Sequence, residues 1–465
     1  MIGIEKEISA TLRGWGEAPA FLQVSRAGGA SSTTALEFSR QILDTANQLH
    51  AWGIREKHLV PIFLGNSTDF IIIFLSLLRI GAIPVLAKLE YRTLELDEIF
   101  ENAQPSAIIA EKEHLGLLKP HLRNRIVIAR SGNRFSLIQS SEDVAAREDI
   151  PDDIASINYT YRGYGYPLGA MISHAQYLHG ARVLQDGLQA AAGEKMLVIL
   201  PMAHIFTMVG CILVPLLYRM TSVIVDTLNP RLLFQYVRDF RIEHITSVPE
   251  IYELLFRLRD PAIDHSSLKV FVSGGSILTP DSFANLTREF SIDLLHGYGL
   301  TEFTPVSRNM RNEARPGTVG PLCDQVECRI DASTPEEAGE ILIKTPHETG
   351  VYYRRPRESG EAHRDGWFRT GDMGRIDKGH LVFVRELKKT RKVNGNLVDL
   401  EEISRAIRLD KDVADLQVGW EKNSLFAKLA LSKNIDFLDK AKELKSALRE
   451  ILAEYKIPKQ FIALA

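Results

Sequence analysis

Between Thr34 and Val272 short apolar runs alternate with helix-period segments, and this alternation restricts the fold more than any other feature. Residues 36–52 carry a helical pattern stopped by Gly53, 59–64 read as a buried strand, 68–80 as a helix stopped by Gly81, and 83–86 as a strand. The same rhythm continues with a helix at 95–103 and strands at 107–110 and 125–129. Strand-length runs that are apolar throughout have both faces covered, which is the pattern of parallel sheets packed between helices. The polar stretch 131–153 predicts a surface connection.

After residue 173 the alternation resumes: helix 174–188, strand 195–200, a helix from His204, strand 222–225, helix 231–240, strand 244–248, helix 251–258 and strand 268–272. Beyond Arg315 the texture changes to short alternating strands at 326–330, 339–344, 367–370 and 379–384, which predicts a small β-rich lobe. The charged run 385–392 marks a boundary. A helix at 400–407, strands at 413–418 and 425–431 and an amphipathic helix at 437–455 then predict a small α+β domain. The expected organisation is α/β, with a large multi-lobed N-terminal domain (1–386) of parallel-rich sheets and a short C-terminal cap domain (387–465).

With 465 residues, 45% of them hydrophobic and 25% charged, the chain can bury more than one core. A net charge of -3 supplies no bulk basic surface, so nucleic acid is not an expected partner. Cys211, Cys323 and Cys328 are too few for a disulfide framework and lack the spacing of a zinc site, which predicts free thiols in a reducing compartment. The start of the chain lacks the apolar core of a secretion signal, and no apolar run reaches the ~20 residues of a membrane span. A soluble cytoplasmic protein is expected.

The stretch 158–174, NYTYRGYGYPLGAMISH, sets Gly163, Gly165, Gly169 and Pro167 behind a strand pattern at 154–160 and ahead of a helical pattern near Ser173. Strand, glycine loop and helix in that order suit anion binding, because the loop's N–H groups turn inward and the helix start adds positive potential. By itself this reads equally as a tight turn. Further on come His296-Gly297-Tyr298-Gly299-Leu300-Thr301-Glu302, then Trp367-Phe368-Arg369-Thr370-Gly371-Asp372, then Arg385 ahead of Val393-Asn394-Gly395.

In order and rough spacing these motifs resemble the adenylate-forming superfamily of acyl-CoA synthetases, peptide-synthetase adenylation domains and luciferases, from about Thr34 to Lys459. The resemblance implies that Thr160, Gly163 and Gly165 cradle the β and γ phosphates of ATP. It further implies that Tyr298, between Gly297 and Gly299, stacks on adenine, that Thr301 bonds the α-phosphate and that Glu302 holds Mg²⁺. Thr301 and Glu302 are therefore the expected catalytic residues. Asp372 is expected on the ribose hydroxyls, Gly274 and Gly275 beside acyl group and nucleotide, and His204 at the head of the acyl pocket. Arg385 matches a ribose-contacting arginine if one residue of slack is allowed, and without it Glu386 stands in that place; the hinge then falls at Lys388 or Lys389.

The implied activity is acid–thiol ligation in acyl or fatty acid metabolism: carboxylate and ATP give acyl-AMP, and CoA or the phosphopantetheine thiol of an acyl carrier protein takes the acyl group. In the loop, Tyr161-Arg162-Gly163-Tyr164-Gly165 replaces the hydroxyl-rich core of the family, and Leu168 replaces a lysine. The family's C-terminal lysine loop would lie beyond Ala465. Slow adenylation is therefore expected. The alternatives are a non-catalytic descendant that binds nucleotide or acyl-adenylate, and a transferase using preformed acyl-AMP.

Overall fold

The computed structural model describes the chain except residues 1–2, 26–28, 133, 143, 226–228, 335, 348–350, 388–389, 394–395, 422–423, 433–434 and 465. The alternating pattern resolves into two large sheets. An eight-stranded sheet runs Ser307–Arg308, Asp293–Tyr298, Val270–Ser273, His244–Ser247, Lys195–Val198, Thr221–Val225, Pro19–Val24, Ala30–Thr34, parallel inside and antiparallel at its edges. A seven-stranded sheet runs Arg134–Gln139, Ile126–Ser131, Ala107–Glu111, Leu59–Phe63, Ile83–Leu86, Ile154–Thr160, Leu168–Ser173, again antiparallel only at its two outer pairs.

The helix Thr68–Ile80 shows why the interior is built this way. Ser67 caps its start by accepting from the Phe70 N–H, and Gly81 ends it in the left-handed region at φ 83°. Every residue from Phe70 to Leu77 is buried, so the helix is apolar all round and lies within the core that joins the large sheets. Each such side chain contributes about 1.5–3 kcal/mol on burial.

Two findings correct the sequence reading near the glycine loop. Residues 168–173 form a strand, Leu168–Ser173, paired antiparallel with Ile154–Thr160, and the helix His174–Leu188 starts only after it. The loop thus joins two strands, and no helix start stands behind it to add positive potential. Gly169 resembled a loop residue, yet a side chain there would sit 2.8 Å from Ile157, so close strand packing is its reason. The polar stretch 131–153 likewise holds an edge strand, Arg134–Gln139. Ahead of Thr34 the chain forms a helix, Ile4–Trp15, and the strands Pro19–Val24 and Ala30–Thr34, none of which was expected.

The β-rich lobe is a five-stranded antiparallel sheet in which Trp367–Asp377 pairs with Gly339–Lys344 on one side and His380–Glu386 on the other. Residues 398–461 carry a core of their own, with Val398, Ile403, Leu425, Leu429, Leu444 and Leu448 buried between the helices Leu400–Ile407 and Phe437–Ile451 and the sheet Val413–Glu421, Ser424–Leu431, Gln460–Ala463. Among the described residues no helix is long and apolar enough to cross a membrane, and all three cysteines are free.

Candidate active site

The strand Asp293–Tyr298 delivers its last residues to the point where the eight-stranded sheet meets the β-rich lobe. Gly297 is needed there, because a Cβ would lie 2.9 Å from the Ser307 carbonyl oxygen of the partner strand. Tyr298 follows and donates its hydroxyl to Oδ2 of Asp372 at 2.7 Å. Asp372 sits on Trp367–Asp377, its backbone N–H donating to Thr370 Oγ1 at 3.1 Å. Both residues are buried, and burial together with the adjacent carboxylate pushes the Tyr298 hydroxyl well up, so it stays a donor.

Glu302 is also buried. Its Oε1 accepts from the Tyr352 hydroxyl and from Arg162 Nη1 at 3.3 Å, and Arg162 donates further to the Arg369 carbonyl at 2.6 Å. The guanidinium lies over the Phe368 ring, 4.9 Å from its centroid. In the structure its charge is committed to the carboxylate expected to hold Mg²⁺. A divalent cation on that same oxygen would face the guanidinium at close range, so Arg162 competes with a metal for Oε1. No cluster of three His, Cys, Asp or Glu side chains able to hold a metal occurs among the described residues.

The glycine loop does bind an anion, supplied by the chain itself. Gly163 and Gly165 donate their N–H groups to Oδ2 of Asp399 at 2.9 and 3.2 Å. Asp399 Oδ1 meanwhile caps the helix Leu400–Ile407 by accepting from Glu401 and Glu402. Beside this contact Lys456, fully buried, pairs with Glu95 at 2.7 Å and Glu402 at 2.6 Å and donates to the Tyr161 hydroxyl at 2.9 Å. Burial raises the Glu402 carboxyl to about 7.

Ten of the thirteen expected site residues line one cavity with about 130 Å³ of free volume. Thr160, Glu302, Thr301 and Asp372 line it toward the loop and the β-rich lobe, Tyr298 between Gly297 and Gly299 forms one wall, and His204, Gly274 and Gly275 another. Its far walls, including Leu184, Leu188, Met196, Val214 and Val272, are apolar. Gly163 and Gly165 line neither this cavity nor its neighbour. Arg385 is exposed and lines an adjoining cavity of about 770 Å³, while its neighbour Glu386 stands opposite Asp372 in the strand register and borders both. The slack allowed for Arg385 thus sets it across from Met373. The proposed hinge, Lys388 or Lys389, and Asn394-Gly395 lie outside the described residues.

Two lysines that the sequence reading passed over also line the first cavity, Lys88 and Lys392. Lys88 is half-buried and donates to Asn396 Oδ1 at 2.8 Å; desolvation lowers its pKa to about 8. The positive charge of these lysines adds to burial in lowering the His204 imidazole to about 3, so His204 is neutral and accepts from the Phe206 N–H through Nδ1. The polar part of the cavity lining combines two lysines, a neutral imidazole and a tyrosine–aspartate pair. An anionic head group on an apolar tail fits this distribution.

A family model described as AMP-binding enzyme matches residues 8–353. Feruloyl-CoA synthase of Amycolatopsis sp is 26% identical over 377 residues, covering 77% of this chain and 74% of that protein. Putative acyl--CoA ligase YdaB of Bacillus subtilis (strain 168) is 24% identical over 454 residues, covering 92% and 90%. The fold is that of the amide bond synthetase McbA from Marinactinospora thermotolerans, with a TM-score of 0.85 at 20% identity over 100% of this chain and 96% of the other.

Proposed function

Because the chain belongs to the AMP-binding enzyme family, within the adenylate-forming superfamily, we propose that it is an acid–thiol ligase of the acyl-CoA synthetase type. The reading is that a carboxylate and ATP give acyl-AMP and pyrophosphate, and that a thiol then takes the acyl group and releases AMP. The observation that carries it is the Tyr298–Asp372 pair in the wall of a largely apolar cavity that Lys88 and Lys392 also line.

Each residue has a task set by its place. The apolar walls hold the acyl chain, and Lys88 and Lys392 attract the carboxylate end and the α-phosphate. Tyr298 offers its ring to adenine, and Asp372 accepts from the ribose hydroxyls once its Tyr298 partner yields. Thr301 donates to the α-phosphate, where the acyl oxygen attacks as pyrophosphate leaves. In the second step the thiolate attacks the acyl carbonyl and AMP departs. Residues 387–465 act in this reading as a cap domain over 1–386. The acceptor is CoA or a carrier-protein phosphopantetheine, and the setting is cytoplasmic.

Arg162 and Leu168 in place of hydroxyl and lysine donors support slow adenylation. The test is single-turnover incubation of the purified protein with ATP, Mg²⁺, CoA and a panel of aliphatic and aromatic acids. Acyl-AMP followed by thioester is the expected result. A second reading, transfer from preformed acyl-AMP without ATP, is favoured by Asp399 in the loop. Thioester from synthetic acyl-AMP and CoA, with none from acid and ATP, selects it.

A further inference from the structure

The glycine loop and the metal carboxylate are the two places where a triphosphate would meet this protein, and both are satisfied from within the chain. Asp399 is fully buried with Oδ2 on the N–H groups of Gly163 and Gly165 and Oδ1 on those of Glu401 and Glu402. Arg162, from the same loop, is on Glu302. The seat is shaped for its occupant. Gly165 lies at φ 80°, and a Cβ there would stand 3.3 Å from the Glu401 carbonyl carbon. Arg405 Nη1 donates to the Gly165 carbonyl at 2.6 Å. Tyr161 donates to Glu402 at 2.7 Å, beside Lys456.

A nest of successive N–H groups holds one anion. A phosphate brought to Gly163 and Gly165 would set a second anion on donors that Asp399 already uses. The cavity formed by Tyr298, Asp372 and Thr301 is a separate space, and Asp399 does not line it. A nucleoside monophosphate and its acyl ester carry no terminal phosphates to place in the glycine loop.

We propose that Asp399 is a specificity-determining residue: seated in the glycine loop, it takes the place of the terminal phosphates, so that the closed protein accepts adenylates and refuses ATP. This deepens the ligase reading and rests on it. ATP enters only when the segment around Asp399 leaves the loop, and the closed arrangement serves the step that consumes acyl-AMP.

Calorimetry on the full chain with AMP and with ATP tests this, using wild type, Asp399→Ser and Arg405→Ala. Serine keeps an oxygen to cap the helix but is too short to reach the loop. The wild type is expected to bind AMP about tenfold or more tighter than ATP, the scale of one charge-assisted hydrogen bond. Asp399→Ser narrows the ratio to within about threefold by raising ATP affinity, and Arg405→Ala, on the exposed side of the contact, moves it the same way by less. An AMP/ATP ratio equal in all three proteins overturns the proposal. Thioester formation from synthetic acyl-AMP and CoA tells the failures apart: transfer with an unmoved ratio sinks only the role of Asp399, whereas no transfer and no binding of either nucleotide sinks the ligase reading with it.

Discussion

Tyr298 and Asp372, 74 residues apart in sequence, meet in a 2.7 Å hydrogen bond with the tyrosine as donor. The bond joins the turn of the eight-stranded sheet to the β-rich lobe and sets the proposed adenine and ribose contacts side by side. It also means that Asp372 is held by an internal donor that a ribose hydroxyl must replace.

The first prediction follows from that exchange. Tyr298→Phe keeps the ring and frees Oδ2, so AMP affinity stays within about threefold of wild type, while stability drops by about 1–3 kcal/mol because a buried acceptor loses its partner. Asp372→Ala lowers AMP affinity by about tenfold or more. Calorimetry and urea unfolding separate the two effects.

Arg162 and Glu302 are a buried ion pair, their side chains 8% and 4% exposed. Arg162→Gln removes the guanidinium partner of a buried carboxylate and leaves the Tyr352 hydroxyl on it, at a cost of about 3 kcal/mol. With the guanidinium gone the local charge favours a cation: millimolar Mg²⁺ raises the melting temperature of Arg162→Gln more than that of the wild type.

The Lys456 cluster makes stability depend on pH with a defined sign. Burial raises the Glu402 carboxyl from its ordinary 4.5 to about 7, so the folded state holds a proton there that the unfolded chain releases earlier. Its contribution is full below pH 4.5 and is lost as pH rises through about 7. Glu402→Gln removes this dependence, which urea unfolding between pH 5 and 8 reads directly.

Lys88 has the opposite bearing. Burial brings it down to about 8, with Glu90 and Glu95 opposing and Lys456 adding to the fall. Its ammonium attracts anions below that pH and is lost above it, so affinity for AMP and for carboxylic acids falls as pH passes about 8. In Lys88→Met this step disappears and affinity at pH 7 is already low.

The sequence made the fold class and the nucleotide motifs legible because both are local: apolar runs bounded by glycine read as buried strands and helices, and Gly297 to Glu302 is one unbroken string. What stayed hidden depends on partners far along the chain. Asp399 shows in the sequence only as the residue before the helix at 400–407, and its Oδ2 finds Gly163 across 236 residues. Lys88 and Lys456 carry no local signal of their surroundings: Lys88 meets Asn396, and the fully buried Lys456 meets Glu95, Glu402 and Tyr161. The strand Leu168–Ser173 was missed because Gly169 serves close packing where it resembled a turn.

The account stands on a nucleotide lying between the Gly297–Glu302 turn and Asp372. A crystal structure of the protein with AMP measures this most directly. The prediction is adenine against Tyr298, both ribose hydroxyls on Asp372 in exchange for the Tyr298 hydroxyl, and Asp399 still on Gly163 and Gly165; AMP phosphate in the glycine loop, or adenine bound away from Tyr298, would contradict it.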